Sequence, residues 1–272
     1  MNKLFIIKVG GNIIDDDEKL KAFLHSFSQI FGASSSLPFR GRGLLVHGGG
    51  KIATTIGNKL GIESQYINGR RITDDATIDL VTMVYGGLIN KKIVAQLQSF
   101  NCNAIGLTGA DANIIPATKR VVKDIDYGWA GDLESSKLNA ESLTLLLNNK
   151  FVPVFAPLTH DKQGHMLNTN ADTIASTLAV ALSKLYEVRL IYCFEKKGVL
   201  ENVDDENSVI TNINKEKYKQ LLDEQKLFAG ILPKIDNAFA AIDAGVKEVL
   251  IGDANDLIQN TTDKTIGTLI TQ

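Results

Sequence analysis

The sequence predicts an α/β fold, in which helices cover both faces of a mainly parallel sheet. Two observations predict it. Short apolar runs alternate with segments whose apolar residues recur at helical spacing, and this alternation continues through most of the 272 residues. The runs contain few polar positions, which is typical of strands buried on both faces. Strands that alternate with helices favour a parallel sheet with helices on each side.

The strands are the short runs rich in β-branched, leucine and aromatic residues. In chain order they are residues 4–9, 44–47, 104–107, 151–156, 190–194 and 249–251. The helices are the segments with apolar residues three and four positions apart. In chain order they are residues 18–31, 52–60, 74–85, 88–100, 138–148, 171–185 and 232–244. Two stretches break the alternation: residues 114–133 resemble a hairpin, and residues 198–225 a loop followed by a short helix.

Composition excludes several classes of protein. A net charge of −2 and a pI of about 6.1 give no basic footprint for nucleic acid. Cys102 and Cys193 lie far apart, without the spacing typical of a disulfide framework or a zinc site, so neither is expected. This use of cysteine fits a reducing compartment. No stretch approaches the roughly 18 apolar residues of a membrane span, and the first apolar run is too short for a signal peptide. These features predict a cytoplasmic protein.

Glycine-rich loops follow the first two strands. Lys8 ends the first strand and needs a counter-charge or a ligand, while Gly10 and Gly11 let the backbone approach an anion. The run 47–51, His-Gly-Gly-Gly-Lys, places successive N–H groups beside a helix N-terminus, which favours anion binding. The same run occurs in esterase oxyanion holes, but the nucleophile elbow that those enzymes need is absent. P-loop and dinucleotide-binding glycine patterns are absent too.

Adjacent arginines mark the next motif, residues 68–74. Thr73 or Asp74 can cap the following helix, which explains those two residues without any function. A cap does not explain Arg70 and Arg71. Because a guanidinium pairs bidentately with a carboxylate, one of the two is a candidate to bind a substrate carboxylate.

Two later motifs place polar residues at helix starts. Asn170 is a suitable N-cap and Asp172 suits the first turn, but neither role explains Asn168 just before the helix. Lys234 follows Pro233 in a first helical turn, where the helix dipole disfavours a cation. An anion near Lys234 is therefore expected.

Taken in order, these motifs resemble those of the amino-acid kinase family over essentially the whole chain. The resemblance implies a three-layer αβα sandwich forming a single domain, residues 1–272. It assigns acylglutamate binding and dimerisation to an N-terminal lobe at about 1–165, and ATP binding to a C-terminal lobe at about 166–272. Segment 87–91 resembles a helix motif of the family, whereas the stretches 85–87 and 109–112 differ from the family's usual sequence.

The resemblance also implies roles residue by residue. Catalytic roles fall on Lys8, Lys234 and Asp172, and phosphate binding on Gly10 and Gly11. Substrate binding falls on Gly49, Gly50, Arg71 and Asn168, and nucleotide binding on Glu195, Gly198, Leu200, Lys226 and Phe228. The family usually has Asp where this chain has Glu195. Mg²⁺ is expected to arrive on the phosphates of ATP, with no metal site of the protein's own.

The implied reaction is ATP-dependent phosphorylation of the γ-carboxylate of N-acetyl-L-glutamate, a step of arginine biosynthesis. That carboxylate has a reference pKa near 4.3, so it is a nucleophile at neutral pH without a general base. Two alternatives stay open: an N-succinyl-glutamate kinase, whose extra carboxylate Arg70, Lys119 or Arg120 would receive, and a non-catalytic sensor of an acidic metabolite. Aspartokinase, glutamate 5-kinase, uridylate kinase and carbamate kinase share the fold, but the Asn-Gly-x-Arg motif favours acylglutamate. Only three residues precede the first strand, which predicts an arginine-insensitive homodimer.

Overall fold

The computed structural model describes residues 2–33, 42–202, 204–224, 226–227 and 231–272. Its strands are β1 (Lys3–Val9), β2 (Arg42–His47), β3 (Tyr66–Ile67), β4 (Arg70–Arg71), β5 (Ala104–Leu107), β6 (Thr118–Lys119), β7 (Gly131–Asp132), β8 (Val152–Phe155), β9 (Leu158–His160), β10 (Met166–Asn168), β11 (Glu187–Phe194), β12 (Asn212–Ile213), β13 (Glu248–Asp253) and β14 (Thr268–Ile270). Its α-helices are α1 (Asp17–Phe31), α2 (Gly50–Lys59), α3 (Asp75–Val81), α4 (Asn90–Ser99), α5 (Ala140–Asn148), α6 (Ala171–Leu182), α7 (Lys215–Asp223), α8 (Leu232–Asp243) and α9 (Leu257–Asn260).

Within these ranges, eight strands form the central sheet, in the order β12-β14-β13-β11-β1-β2-β8-β5. Neighbouring strands are parallel except β13 and β14, which pair antiparallel. The α/β prediction with a mainly parallel sheet is confirmed. β1 lies near the middle, between β11 and β2, so its carboxyl end meets theirs at one edge of the sheet. Ligands of open α/β sheets bind at that edge.

Two hydrophobic clusters cover the two faces of the sheet. Along β1, Leu4 and Ile6 belong to the cluster that includes α6 and α8, whereas Phe5 and Ile7 belong to the cluster that includes α1 and α4. Successive side chains of a strand point to opposite faces, so a strand covered on both sides must be apolar at every position. This requirement explains the continuous apolar runs of the sequence.

The helix after β4 is longer than the sequence predicts. The sequence suggests separate helices at 74–85 and 88–100, but α3 continues into α4 through a π-helical segment, Thr82–Ile89. Gly86 and Gly87, which separate the two predicted helices, both lie inside this segment. A Cβ on Gly86 would lie 3.3 Å from Leu158 Cδ1, so glycine lets the helix pack closely there. π-Helical turns occur frequently at functional sites.

The two irregular stretches match their predictions in outline. β6 and β7 pair antiparallel inside residues 114–133, as expected for a hairpin. The stretch 198–225 contains the predicted short helix, α7, and also the short strand β12, which the sequence did not predict. Within the described ranges, no helix combines the length and the apolar character that crossing a bilayer requires.

Candidate active site

Two glycine loops meet at the carboxyl ends of β1 and β2. Gly48 donates its backbone N–H to the Val9 carbonyl at 2.9 Å, and a Cβ on Gly48 would lie 3.3 Å from Gly10 Cα. A Cβ on Gly10 would lie only 2.9 Å from Lys8 Nζ. The Lys8 side chain therefore folds back over Gly10, and a side chain at position 10 would displace its ammonium group.

The second loop has a backbone that only glycine adopts easily. Gly49 has φ 150°, and a Cβ there would lie 2.3 Å from Ile89 Cδ1. Among the described residues, no side chain caps helix α2 at its start, and no atom beyond the adjoining backbone lies within 4 Å of the position of a Cβ on Gly50. The first N–H groups of a helix have no intrahelical partner. They are therefore open to an anionic ligand.

A buried histidine forms hydrogen bonds that hold this second loop in place. His47 is fully buried; its Nδ1 lies 2.7 Å from the Gly48 carbonyl oxygen, and its Nε2 lies 3.2 Å from Asn90 Nδ2. Because the amide of Asn90 donates, Nε2 accepts and Nδ1 carries the hydrogen. Burial lowers the pKa of His47 to about 4. At neutral pH the ring is uncharged and holds the loop through these two hydrogen bonds.

Three charged side chains gather at the start of α6. Lys8 Nζ lies 2.8 Å from Asp172 Oδ1, and the Lys8 side chain is only 11% exposed. Asn170 caps α6 by accepting from the N–H groups of Asp172 and Thr173, which fixes Asp172 in the first turn. Lys234, in the first turn of α8, completes the group. Burial lowers the pKa of Lys234, nearby Asp172 acts to raise it, and nearby Lys8 acts to lower it.

Beside this group lies a cavity of about 240 Å³. Both glycine-loop residues Gly49 and Gly50 line it, together with Arg71 and Asn168. The Asn168 amide donates to Thr73 Oγ1 at 3.0 Å, which orients it at the wall. The cavity also borders Asn170, Ala171 and Thr173 of the α6 N-terminus, the helix start that carries Asp172.

Arg71 carries a buried charge into this cavity. Its side chain donates to the Gly50 carbonyl at 2.9 Å, to Thr54 Oγ1 at 3.0 Å and to Ser64 Oγ, and it lies over the Tyr66 ring. The residue is only 7% exposed. All of these partners, taken from the described residues, are electrically neutral. An unpaired buried cation is costly, so the cavity is suited to an anion such as a carboxylate.

Comparison with known proteins identifies the family. The family model described as the amino acid kinase family matches residues 3–253. The chain belongs to the amino acid kinase family. It is similar to the acetylglutamate kinases of Cytophaga hutchinsonii, at 53% identity over 98% of both chains, and of Parabacteroides distasonis, at 51% over 95% of this chain and 97% of that one. A solved structure of a protein from Streptococcus mutans UA159 matches with a TM-score of 0.72 and 27% identity, covering 98% of each chain.

The structure of this amino acid kinase brings most of the predicted residues together. Lys8, Asp172 and Lys234 form one group, although Asp172 contacts Lys8 directly and Lys234 instead lies over an aromatic ring. Gly10 lies against the Lys8 ammonium, and Gly11 follows it with φ 55°. The substrate residues share the cavity.

The predicted nucleotide residues that the structure describes do not line the cavity. Glu195 accepts a hydrogen bond from Asn12 Nδ2 at 2.6 Å and lies 3.7 Å from Lys19 Nζ. Lys226 pairs with Glu201 at 2.6 Å, and Leu200 is buried. A Cβ on Gly198 would lie 2.6 Å from Thr268 Oγ1, so this glycine permits close packing. Phe228, also predicted here, lies outside the described residues.

The sequence reasoning missed several residues of the site. Phe194 lies under the Lys234 ammonium, and Tyr85 lines the cavity. Lys51 Nζ donates to Asn12 Oδ1 at 2.6 Å, which links the ends of the two glycine loops. Asn12 and Lys51 each follow their loop directly, and that position in the chain was an available signal. Nothing local marked Phe194, which reads simply as the end of an apolar strand.

Proposed function

We propose that the chain catalyses ATP-dependent phosphorylation of the γ-carboxylate of N-acetyl-L-glutamate, giving N-acetyl-L-glutamyl 5-phosphate in arginine biosynthesis. The observation that carries the proposal is a group of two lysines and one acid, Lys8, Lys234 and Asp172, next to a cavity lined by a buried arginine that no acid among the described residues neutralises. Such a site is suited to bring together two anions, the substrate carboxylate and the phosphates of ATP. Similarity to acetylglutamate kinases over nearly the whole chain supports this substrate.

The substrate roles follow from position. The Arg71 guanidinium binds the α-carboxylate of the glutamate, because a planar fork matches a carboxylate bidentately. Asn168, whose amide donates to Thr73, also lines the cavity and contacts the substrate there. The N–H groups of Gly49 and Gly50 contact the γ-carboxylate and the arriving phosphoryl group.

The lysines act on the phosphoryl group itself. Phosphoryl transfer places negative charge on the equatorial oxygens, and catalysis depends on positioning and electrostatic stabilisation. Lys8 and Lys234 supply that positive charge, and Asp172 orients Lys8. The γ-carboxylate is already ionised at neutral pH and attacks in that form, so no residue needs to remove a proton.

ATP binds toward the second half of the chain, about residues 166–272, and the acylglutamate toward about 1–165. The order of strands in the sheet supports this division. On one side of β1 lie β11, β12, β13 and β14, and on the other side lie β2, β5 and β8. Mg²⁺ is carried by the ATP phosphates. The described residues contain no group of three or more His, Cys, Asp or Glu side chains arranged to hold a metal ion.

A hydroxylamine trapping assay tests the proposal. With ATP, Mg²⁺ and N-acetyl-L-glutamate, the enzyme should form the hydroxamate of the acyl phosphate. Lys8→Met and Lys234→Met should lose it, whereas Lys59→Met, at the exposed far end of α2, should keep it. Binding of N-acetyl-L-glutamate without any hydroxamate would instead support the non-catalytic sensor.

Arg70 favours a second candidate substrate, N-succinyl-L-glutamate. Arg70 is exposed, lines the cavity and has no ion-pair partner among the described residues. Arg120 also lines the cavity, but Asp132 already binds it, and Lys119 lies over the Trp129 ring. Comparing kcat/KM for the two substrates decides between them. Arg70→Gln should lower the succinyl value selectively if Arg70 receives the second carboxylate.

The enzyme is proposed to be a cytoplasmic homodimer formed through its N-terminal half. Met83 and Leu88, in the π-helical segment, are 58% and 50% exposed. Hydrogen bonds in a π-helix span five residues, so the two side chains lie on one side of it. A two-fold dimer would bury this apolar patch against its own copy. Light scattering should give twice the 29.6 kDa chain mass, and Met83→Glu should reduce it to the monomer.

A further inference from the structure

An aromatic ring lies between the two lysines of the proposed active site. Phe194 is the last residue of β11, at the edge of the sheet where the glycine loops meet. Lys234 Nζ lies 3.7 Å from the centre of the ring, and Lys8 Nζ lies 5.5 Å from it. Both distances fall within the range of about 6 Å in which a ring attracts a cation.

This ring provides stabilisation that the charged groups of the site do not provide for Lys234. Lys8 and Lys234 repel each other, and the single carboxylate of the group, Asp172, is in direct contact with Lys8. Lys234 is also partly removed from water, and this burial acts to lower its pKa. It therefore needs stabilisation from another source.

A ring stabilises an ammonium group without neutralising it. A second acid would pair with Lys234 and repel the phosphates of ATP. The face of a phenyl ring carries only partial negative charge, so the lysine keeps its full charge for the incoming anion. The ring itself is held in place, because it packs against the core and stacks on buried Tyr192 at 6.4 Å between centroids and an interplanar angle of 26°.

We propose that Phe194 is a positioning residue, which holds the Lys234 ammonium, and less closely that of Lys8, in the place where the phosphoryl group is transferred. This inference rests on the proposed function. If Phe194 only packed against the edge of the core, an apolar substitute without a ring would serve as well as one that keeps the ring.

Two substitutions and one control separate these roles. Phe194→Leu keeps an apolar side chain and removes the ring, and Phe194→Tyr keeps the ring. Phe239→Leu is the matched control, because Phe239 is a buried aromatic residue that packs against the Tyr218 ring in the same half of the chain. Thermal unfolding shows whether each variant is folded before its kinetics are compared.

Phe194→Leu should lower kcat about 3- to 30-fold, the range that corresponds to a cation–π contact, with KM for N-acetyl-L-glutamate unchanged. Phe194→Tyr should restore kcat to within about twofold of the wild type. Loss of the ring also destabilises the charged form of Lys234, so the alkaline limb of the rate profile should move to lower pH. Equal kcat for Phe194→Leu and wild type would overturn the inference. So would a loss in Phe194→Leu that Phe194→Tyr or Phe239→Leu shows to the same extent.

A spectroscopic measurement keeps this test separate from that of the function. The ring current of Phe194 should shift the Lys234 Hε signals upfield in the wild type, and Phe194→Leu should abolish the shift. A wild type that forms no hydroxamate yet shows the shift would overturn the proposed function alone. An active wild type without the shift would overturn the inference about Phe194 alone.

Discussion

Replacing Gly49 with alanine tests whether the second glycine loop depends on its backbone geometry. Gly49 has φ 150° and ψ 17°, a conformation that costs other residues about 1–3 kcal/mol. The new Cβ would also lie 2.3 Å from Cδ1 of buried Ile89, and overpacking of this kind costs about 1–3 kcal/mol. The free energy of unfolding should therefore fall by about 2–6 kcal/mol.

Thermal and urea unfolding measure this loss, and Gly50→Ala is the matched control. A Cβ at Gly50 meets no atom of the described part of the chain within 4 Å, so the unfolding free energy of this variant should stay within about 0.5–1 kcal/mol of the wild type. The new methyl group would nevertheless project into the cavity that Gly50 lines. Gly50→Ala should therefore lose activity in the hydroxamate assay while keeping its stability.

Ile89→Val separates the two causes, because it removes the Cδ1 atom that the new methyl group would strike. In the Gly49→Ala background it should recover the part of the loss due to overpacking and leave the part due to backbone strain. The reasoning would be refuted if Gly49→Ala were as stable as Gly50→Ala, or if Ile89→Val simply added its own cost to that of Gly49→Ala.

Three further predictions concern the charged residues of the site. Asp172→Asn removes the counter-charge of Lys8 and should lower kcat at least about 10-fold, about 1.4 kcal/mol of transition-state stabilisation, with the protein still folded by circular dichroism. Arg71→Lys replaces a bidentate fork with a point charge and should raise KM for N-acetyl-L-glutamate about 10- to 100-fold; an equal rise in KM for ATP would contradict its assignment to the amino-acid substrate. The pKa of His47 is about 4 when folded, below its usual value of 6.5, so between these pH values the unfolded chain binds more protons than the folded one. The free energy of unfolding should therefore fall by about 3 kcal/mol as the pH drops from 6.5 to 4, and His47→Gln should flatten this dependence.

Local features of the site were predictable because their causes lie close together in the chain. The N-cap at Asn170 needs only its own side chain and the next turn, and the sequence shows both. The glycine loops follow apolar strands directly, so their place at the carboxyl edge of the sheet also follows from the alternation of elements. The prediction of two separate helices, one ending at Tyr85 and the next beginning at Leu88, was wrong for the opposite reason. Glycine opposes a helix only locally, and here packing against Leu158 outweighs that preference.

The choice between two adjacent arginines shows where residue chemistry alone reached its limit. Either Arg70 or Arg71 fits a carboxylate, and only the resemblance to a family favoured Arg71. In the short strand β4 successive side chains point to opposite sides, and Arg71 is buried whereas Arg70 is exposed. Which of the two faces inward depends on how β4 pairs with β3 beneath the cavity, and this pairing is not encoded in the two residues themselves.

The sequence by itself determined the fold class, the glycine loops, the helix caps and the set of motifs typical of an amino-acid kinase, because each depends on neighbouring residues or on a short repeating pattern. The tertiary structure alone decided how Lys8 and Lys234, from opposite ends of the chain, share one aromatic ring. The parallel pairing of β1 with β11 places Lys8 opposite Tyr192 and next to Phe194, and α8 then brings Lys234 over the same ring. Contacts between such distant segments depend on the order of strands in the sheet, which the apolar pattern of each strand does not specify.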